Sequence, residues 1–133
     1  MSATPPTPTT RPRAVNVAFG CWVAGDVLTA ALGLLLITSP APTFIRAAGG
    51  LIIAVGLAHG FLAGRARRGY KRFAYAGVGL SLAAIAFLAV LLLFGASLVA
   101  ILIVATIMIL MITGSAMMQG KLAQAWFDSE AAI

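Results

Sequence analysis

Three carboxylates, one histidine and one cysteine are all the acids, imidazoles and thiols in 133 residues: Asp26, Asp128, Glu130, His59 and Cys21. Their spacing builds no nucleophile–base triad, no paired-carboxylate site and no glycine loop with a phosphate-binding lysine, so no catalytic residue and no enzymatic activity are expected. A single histidine cannot supply two axial ligands to a b-type haem, and no second histidine completes a zinc pattern, so neither cofactor nor metal is expected. Cys21 alone can form neither an internal disulfide nor a dithiol redox pair.

Asp26 and His59 are the candidate ion- or proton-binding residues. Asp26 lies near the middle of a long apolar run, where an aspartate costs about 2.5 to 3.5 kcal/mol to insert and each Leu, Ile, Phe or Val returns about 0.3 to 0.6 kcal/mol. Five leucines and several valines in that run leave insertion favourable. On a helical wheel Asp26 shares a face with Trp22, Val23, Thr29, Ala30 and Gly33, while Leu28, Leu32 and Leu35 lie opposite, so the carboxyl is expected to face protein. Two roles follow: a proton or cation carrier on a pathway, or a clamp holding the first helix to Ser81, Thr106 or a backbone carbonyl. The absence of a second acid for a relay weighs towards the clamp. Counted from the nearer basic end, Asp26 is about 16 Å deep and His59 about 8 Å, so direct pairing is not expected. His59 is read as a neutral imidazole bonding to a neighbouring helix or to interfacial water, with pH sensing as its alternative.

These residues sit in a chain made for lipid. Hydrophobic residues are 62% of the total and charged residues 9%, with a mean hydropathy of +1.07. Soluble domains carry roughly a quarter charged residues, so the expected class is an integral membrane protein. A spanning helix needs roughly 20 residues. Residues 14–38 and 44–64 qualify, separated by Ser39-Pro40-Ala41-Pro42. The charge-free stretch 73–118 would reach about 69 Å as one helix, more than twice the hydrocarbon thickness, so it must fold back. Gly95-Ala96-Ser97 is the turn-tolerant cluster, giving spans at 73–94 and 98–118. The expected fold is all-α: a four-helix transmembrane bundle over 14–118. It is preceded by a disordered Thr/Pro-rich tail, 1–13, and followed by an interfacial tail, 119–133, expected to form a short helix with Lys121, Gln124, Asp128 and Glu130 on its wet side. The long first run and the missing cleavage site point to a signal anchor rather than a removable signal.

Four spans put both ends on one side, together with Arg11, Arg13, Arg65, Arg67, Arg68, Lys71, Arg72 and Lys121, against Arg46 alone on the other. That bias predicts cytoplasmic termini in a bacterial inner membrane. The net charge of +6 is expected to meet anionic lipid headgroups, at Arg65, Arg67, Arg68, Lys71 and Arg72 above all, and not nucleic acid. Tyr70, Phe73, Tyr75 and Trp126-Phe127 suit the same interface.

Small residues mark the expected helix contacts. Gly56, Gly60 and Gly64 recur at spacing four, and Gly77, Ser81 and Ala84 form a matching stripe on the third span, so these two spans are expected to pack together, with a homo-oligomer as the alternative. On the fourth span Thr106 and Thr113 share a face expected to aim at the bundle, and Met108, Met111, Met117 and Met118 are read as adaptable packing residues.

Arg11-Pro12, Val15, Ala18-Phe19 and Trp22 resemble an Arg-Pro-x-x-Val-x-x-Ala-Phe-x-x-Trp opening of small actinobacterial membrane proteins, which implies a tetraspan of the bacterial inner membrane and transfers no active residue. The four spans with a carboxylate in the first also resemble small multidrug-resistance transporters in architecture, but Asp26 stands where those carry Glu, their later-helix motifs are missing, and the charge bias is too one-sided for dual topology. The expected function is a non-enzymatic accessory, scaffold or regulatory subunit of a larger membrane assembly. The alternative is a small proton-coupled transporter using Asp26.

Overall fold

The computed structural model describes residues 10–131. Five helices make it up: α1 (Arg13–Thr38), α2 (Thr43–Arg67), α3 (Lys71–Leu92), α4 (Leu98–Met118) and α5 (Lys121–Ala131), with no strand among the described residues. The first four are long and apolar enough to cross a membrane.

The breaks between helices have local causes. Ser39 is extended, with ψ 155°, because it precedes a proline, and Pro42 caps the start of α2. After α2, Gly69 takes φ +100° and bonds its N–H to the Ala66 carbonyl, a left-handed stop that suits glycine. The third turn uses Gly95, at φ +92°, and Ser97, whose hydroxyl accepts the Ala100 N–H at 3.2 Å. α3 therefore ends at Leu92, two residues short of the expected boundary, with Leu93 and Phe94 spent on the turn. α2 runs through Arg67, and α3 starts at Lys71, each slightly longer at the basic end than hydrophobicity alone predicts.

α1 packs against α2 and α4, and α3 closes the ring between those two. Only 28 to 33% of each span is buried inside the bundle, and large apolar side chains such as Val27, Leu57 and Ile109 point outward. That surface suits hydrocarbon. Because α1 has two neighbours, its buried face is wider than the wheel around Asp26 suggests: Leu32, expected opposite, is buried with Thr29 and Gly33. Thr106 and Thr113 are exposed, contrary to expectation, since Val104, Ile107, Met111, Gly114 and Met118 form the buried face of α4. The Thr106 hydroxyl bonds to its own helix at the Leu102 carbonyl, 2.8 Å, which lets it face outward without an orphaned donor.

The glycine contacts also differ from expectation. Gly56 abuts the Asp26 carbonyl and Thr29 of α1, Gly60 faces the Asp26 carboxyl, and Gly64 touches nothing within 4 Å. The stripe thus serves α1 in its upper two positions, not α3. The closest crossing of α1 and α2 is at Gly33 and Gly49, where a methyl on either would come within 2.6 Å of the other's carbonyl oxygen. Neither residue belongs to a spaced glycine series.

α5 is amphipathic and folds under the bundle. Ala123, Trp126 and Phe127 are buried, Asp128 pairs with Lys71, and Gln124 accepts from the Tyr75 hydroxyl at 3.0 Å while donating to the Met118 carbonyl at 3.1 Å. Lys121 and Asp128 stay exposed. Most of the Thr/Pro-rich tail lies outside the described residues; within them Arg11 bonds to Asn16 and stacks 5.9 Å from the Trp126 ring. The basic α2–α3 turn, α5 and the start of α1 therefore gather at one end of the bundle, with Arg46 at the other.

Candidate functional site

Asp26 and His59 meet in the core. Their side chains are 2.8 Å apart, Oδ1 to Nδ1, and both residues are buried. The expectation against pairing rested on depths counted from the basic end, where α1 extends past α2 to meet α5. Counted from the tight Ser39–Pro42 turn that joins them, Asp26 lies 12 residues before Thr38 and His59 lies 16 after Thr43. The offset of about 6 Å is within reach of the two side chains.

The other imidazole nitrogen, Nε2, is 2.7 Å from the Ser81 hydroxyl and 3.1 Å from the Gly77 carbonyl. Ser81 in turn donates to the Met111 sulfur at 3.6 Å. One polar line therefore crosses all four spans: Asp26 on α1, His59 on α2, Ser81 and Gly77 on α3, Met111 on α4. Ser81 thus bonds to His59 rather than to Asp26, and Thr106 takes no part.

The imidazole can serve these partners in two tautomers. With hydrogen on Nε2 the ring donates to the Gly77 carbonyl, Ser81 is free to donate to sulfur, and Nδ1 and Oδ1 share a second proton, which leaves the pair with zero net charge. With hydrogen on Nδ1 the ring donates to the Asp26 carboxylate and Nε2 accepts from Ser81. The neutral pair is the form least costly to bury in hydrocarbon.

Trp22 seats this pair. Its ring lies edge-on to His59, 4.8 Å between centroids, with its benzo edge over Gly77 and its pyrrole edge against Gly114. A side chain at either glycine would occupy the ring's place. Gly77 was expected as a helix-packing residue and does admit a neighbour, although that neighbour is one tryptophan and not a helix backbone. Ala84, of the same expected stripe, is buried at the α2–α3 seam. Four buried polar atoms have no hydrogen-bond partner among the described residues: Asp26 Oδ2, Trp22 Nε1 and Ser115 Oγ inside the bundle, and Arg11 Nε just before α1.

The basic residues are arranged unequally. Arg65 stands 5.5 to 5.6 Å from the ring centroids of Phe61, Tyr70 and Phe73, a cage of three aromatics. Arg67 points the other way, 4.7 Å over Phe19 of α1. Arg68, Lys71 and Arg72 line an open hollow of about 600 Å³ shared with Glu130. Lys71 is already paired with Asp128. Among the described residues no cluster of three His, Cys, Asp or Glu side chains is placed to hold a metal ion.

Comparison with protein-family models, with curated proteins and with solved structures finds no match to this chain.

Proposed function

We propose that this chain is a non-enzymatic membrane subunit that associates with, scaffolds or regulates a larger membrane assembly. The observation that carries this reading is the Asp26–His59–Ser81 line: the one acid and the one imidazole within the four long helices are engaged with each other and, through Ser81 and Met111, link all four. Linked helices and an apolar exterior are what an accessory bundle brings to a partner in the bilayer. The proposed setting is a bacterial inner membrane with both termini cytoplasmic, supported by eight cations at the α5 end against one at the other. Partners are anionic lipid and a second membrane protein, with a homo-oligomer as the competing association. Purification in mild detergent from the native membrane tests this: reproducible recovery with one larger complex is expected, and recovery only alone or as a self-assembly contradicts it.

A second reading, a small proton-coupled transporter, is favoured by the Asp26 Oδ2 atom, which is buried without a partner and offers an acceptor beyond the shared proton. Uptake driven by a pH gradient in vesicles holding the purified chain, lost in Asp26→Asn, would establish it in place of the accessory role.

A further inference from the structure

The seam between α2 and α3 combines a charged end with an apolar crevice along one line. On α2, Leu51, Ala58 and Arg65 fall seven residues apart and share a face; on α3, Phe73, Leu80 and Phe87 do the same. The two rows flank the seam where α2 packs on α3. At its basic end stands Arg65, held by three rings and, among the described residues, paired with no carboxylate. Aromatic stacking occupies the faces of a guanidinium and leaves its edge donors directed outward, the geometry that grips a phosphate with two parallel hydrogen bonds. Further along, a crevice of about 250 Å³ opens, walled by Leu51, Val55, Leu80, Ala83 and Phe87 and almost wholly apolar. Ala58, Ala76 and Ala83 are exposed, so small side chains lie between the two ends.

The spacing reaches the middle of the bilayer. Along α2 the crevice runs from Val55 to Leu51, about 15 to 21 Å of helix from Arg65, against about 15 Å for half of the hydrocarbon core. A headgroup at Arg65 therefore brings the end of an acyl chain to the crevice. Lys71 is drawn away to Asp128 and Arg67 to Phe19, so the cations of this loop are not equivalent.

We propose that the α2–α3 seam binds one anionic phospholipid, its phosphate on Arg65 and an acyl chain in the crevice beside Ala83. This deepens the lipid-partner part of the functional reading and rests on it for the membrane setting, but not on any protein partner. Native mass spectrometry of the full chain in mild detergent, titrated with phosphatidylglycerol and with phosphatidylcholine of identical chains, tests it. One phosphatidylglycerol is expected to be retained about ten-fold more tightly than phosphatidylcholine, because both offer a phosphodiester to Arg65 and only choline adds a cation that offsets its charge. Arg65→Gln abolishes that preference, Arg65→Lys keeps it while lowering the affinity for both lipids because the charge remains and the planar fork is lost, and Arg67→Gln leaves it intact. Ala83→Trp, which fills the crevice from an exposed position, lowers the affinity for both lipids. Equal losses in Arg65→Gln and Arg67→Gln would reduce the effect to diffuse attraction and overturn the site, as would equal binding of the two lipids or an inert Ala83→Trp. Because the titration involves neither orientation nor a protein partner, its failure leaves the accessory role standing, and failed co-purification leaves the lipid site standing.

Discussion

At the residue scale, the Asp26–His59 pair carries the account. Removing one member of a buried pair strands the other, at about 3 to 5 kcal/mol, so Asp26→Ala and His59→Ala should each destabilise strongly. If the two act as one unit, the double variant costs less than the sum, by a coupling of about 1 to 3 kcal/mol in reversible detergent unfolding; simple additivity would deny the pairing. Asp26→Asn separates structure from proton traffic. Its amide N–H can donate to Nδ1 as a protonated carboxyl does, keeping Nε2 directed at Gly77 and Ser81, so stability is expected close to that of the parent. A loss as large as that of Asp26→Ala would mean that the carboxylate–imidazolium form is the one the bundle needs. Asp26 was legible in the sequence as buried and protein-facing, because one acid in an apolar run has few alternatives. Its partner was not, since pairing depends on the stagger of two helices, which hydrophobicity does not encode. The role of Trp22 was equally hidden: the glycines that admit its ring, Gly77 and Gly114, are distant in sequence and lie on different helices.

At the element scale, close approach decides which glycines matter. Gly114 has the Trp22 ring against its α-carbon, and Gly49 has the Gly33 carbonyl, so Gly114→Ala and Gly49→Ala should each overpack the bundle and cost about 1 to 3 kcal/mol. Gly64→Ala meets open space, and its effect should stay within about 0.5 kcal/mol in the same unfolding assay. A larger loss at Gly64 than at Gly49 would contradict the observed crossing. The spaced series Gly56, Gly60 and Gly64 advertised a helix contact, and two of the three do serve one, but with α1 instead of α3. Sequence periodicity marks a face without naming what covers it. The span limits were far more readable, since Pro40, Pro42 and Gly95 stop helices by steric means that act locally and the basic run 65–72 ends the second apolar stretch.

At the scale of the whole molecule, composition alone pointed to an all-helical chain with four membrane-length helices, and the short helix expected in the tail is present as α5. Hidden from the sequence was its docking: α5 turns back at Gln119-Gly120 and buries Trp126 and Phe127 against α1, α3 and α4. The described geometry gathers eight of nine cations at the α5 end, and membrane crossing is the premise on which the buried pair, the lipid seam and the accessory role all depend. Its most direct measurement is labelling of single cysteines by a membrane-impermeant thiol reagent in intact cells and in opened membranes, with Cys21→Ser as background. Arg68→Cys, in the α2–α3 turn, and Ala96→Cys, in the α3–α4 turn, should report opposite sides, with Ala96→Cys alone reacting from outside the cell. Reaction of both from the same side would contradict the four-span arrangement.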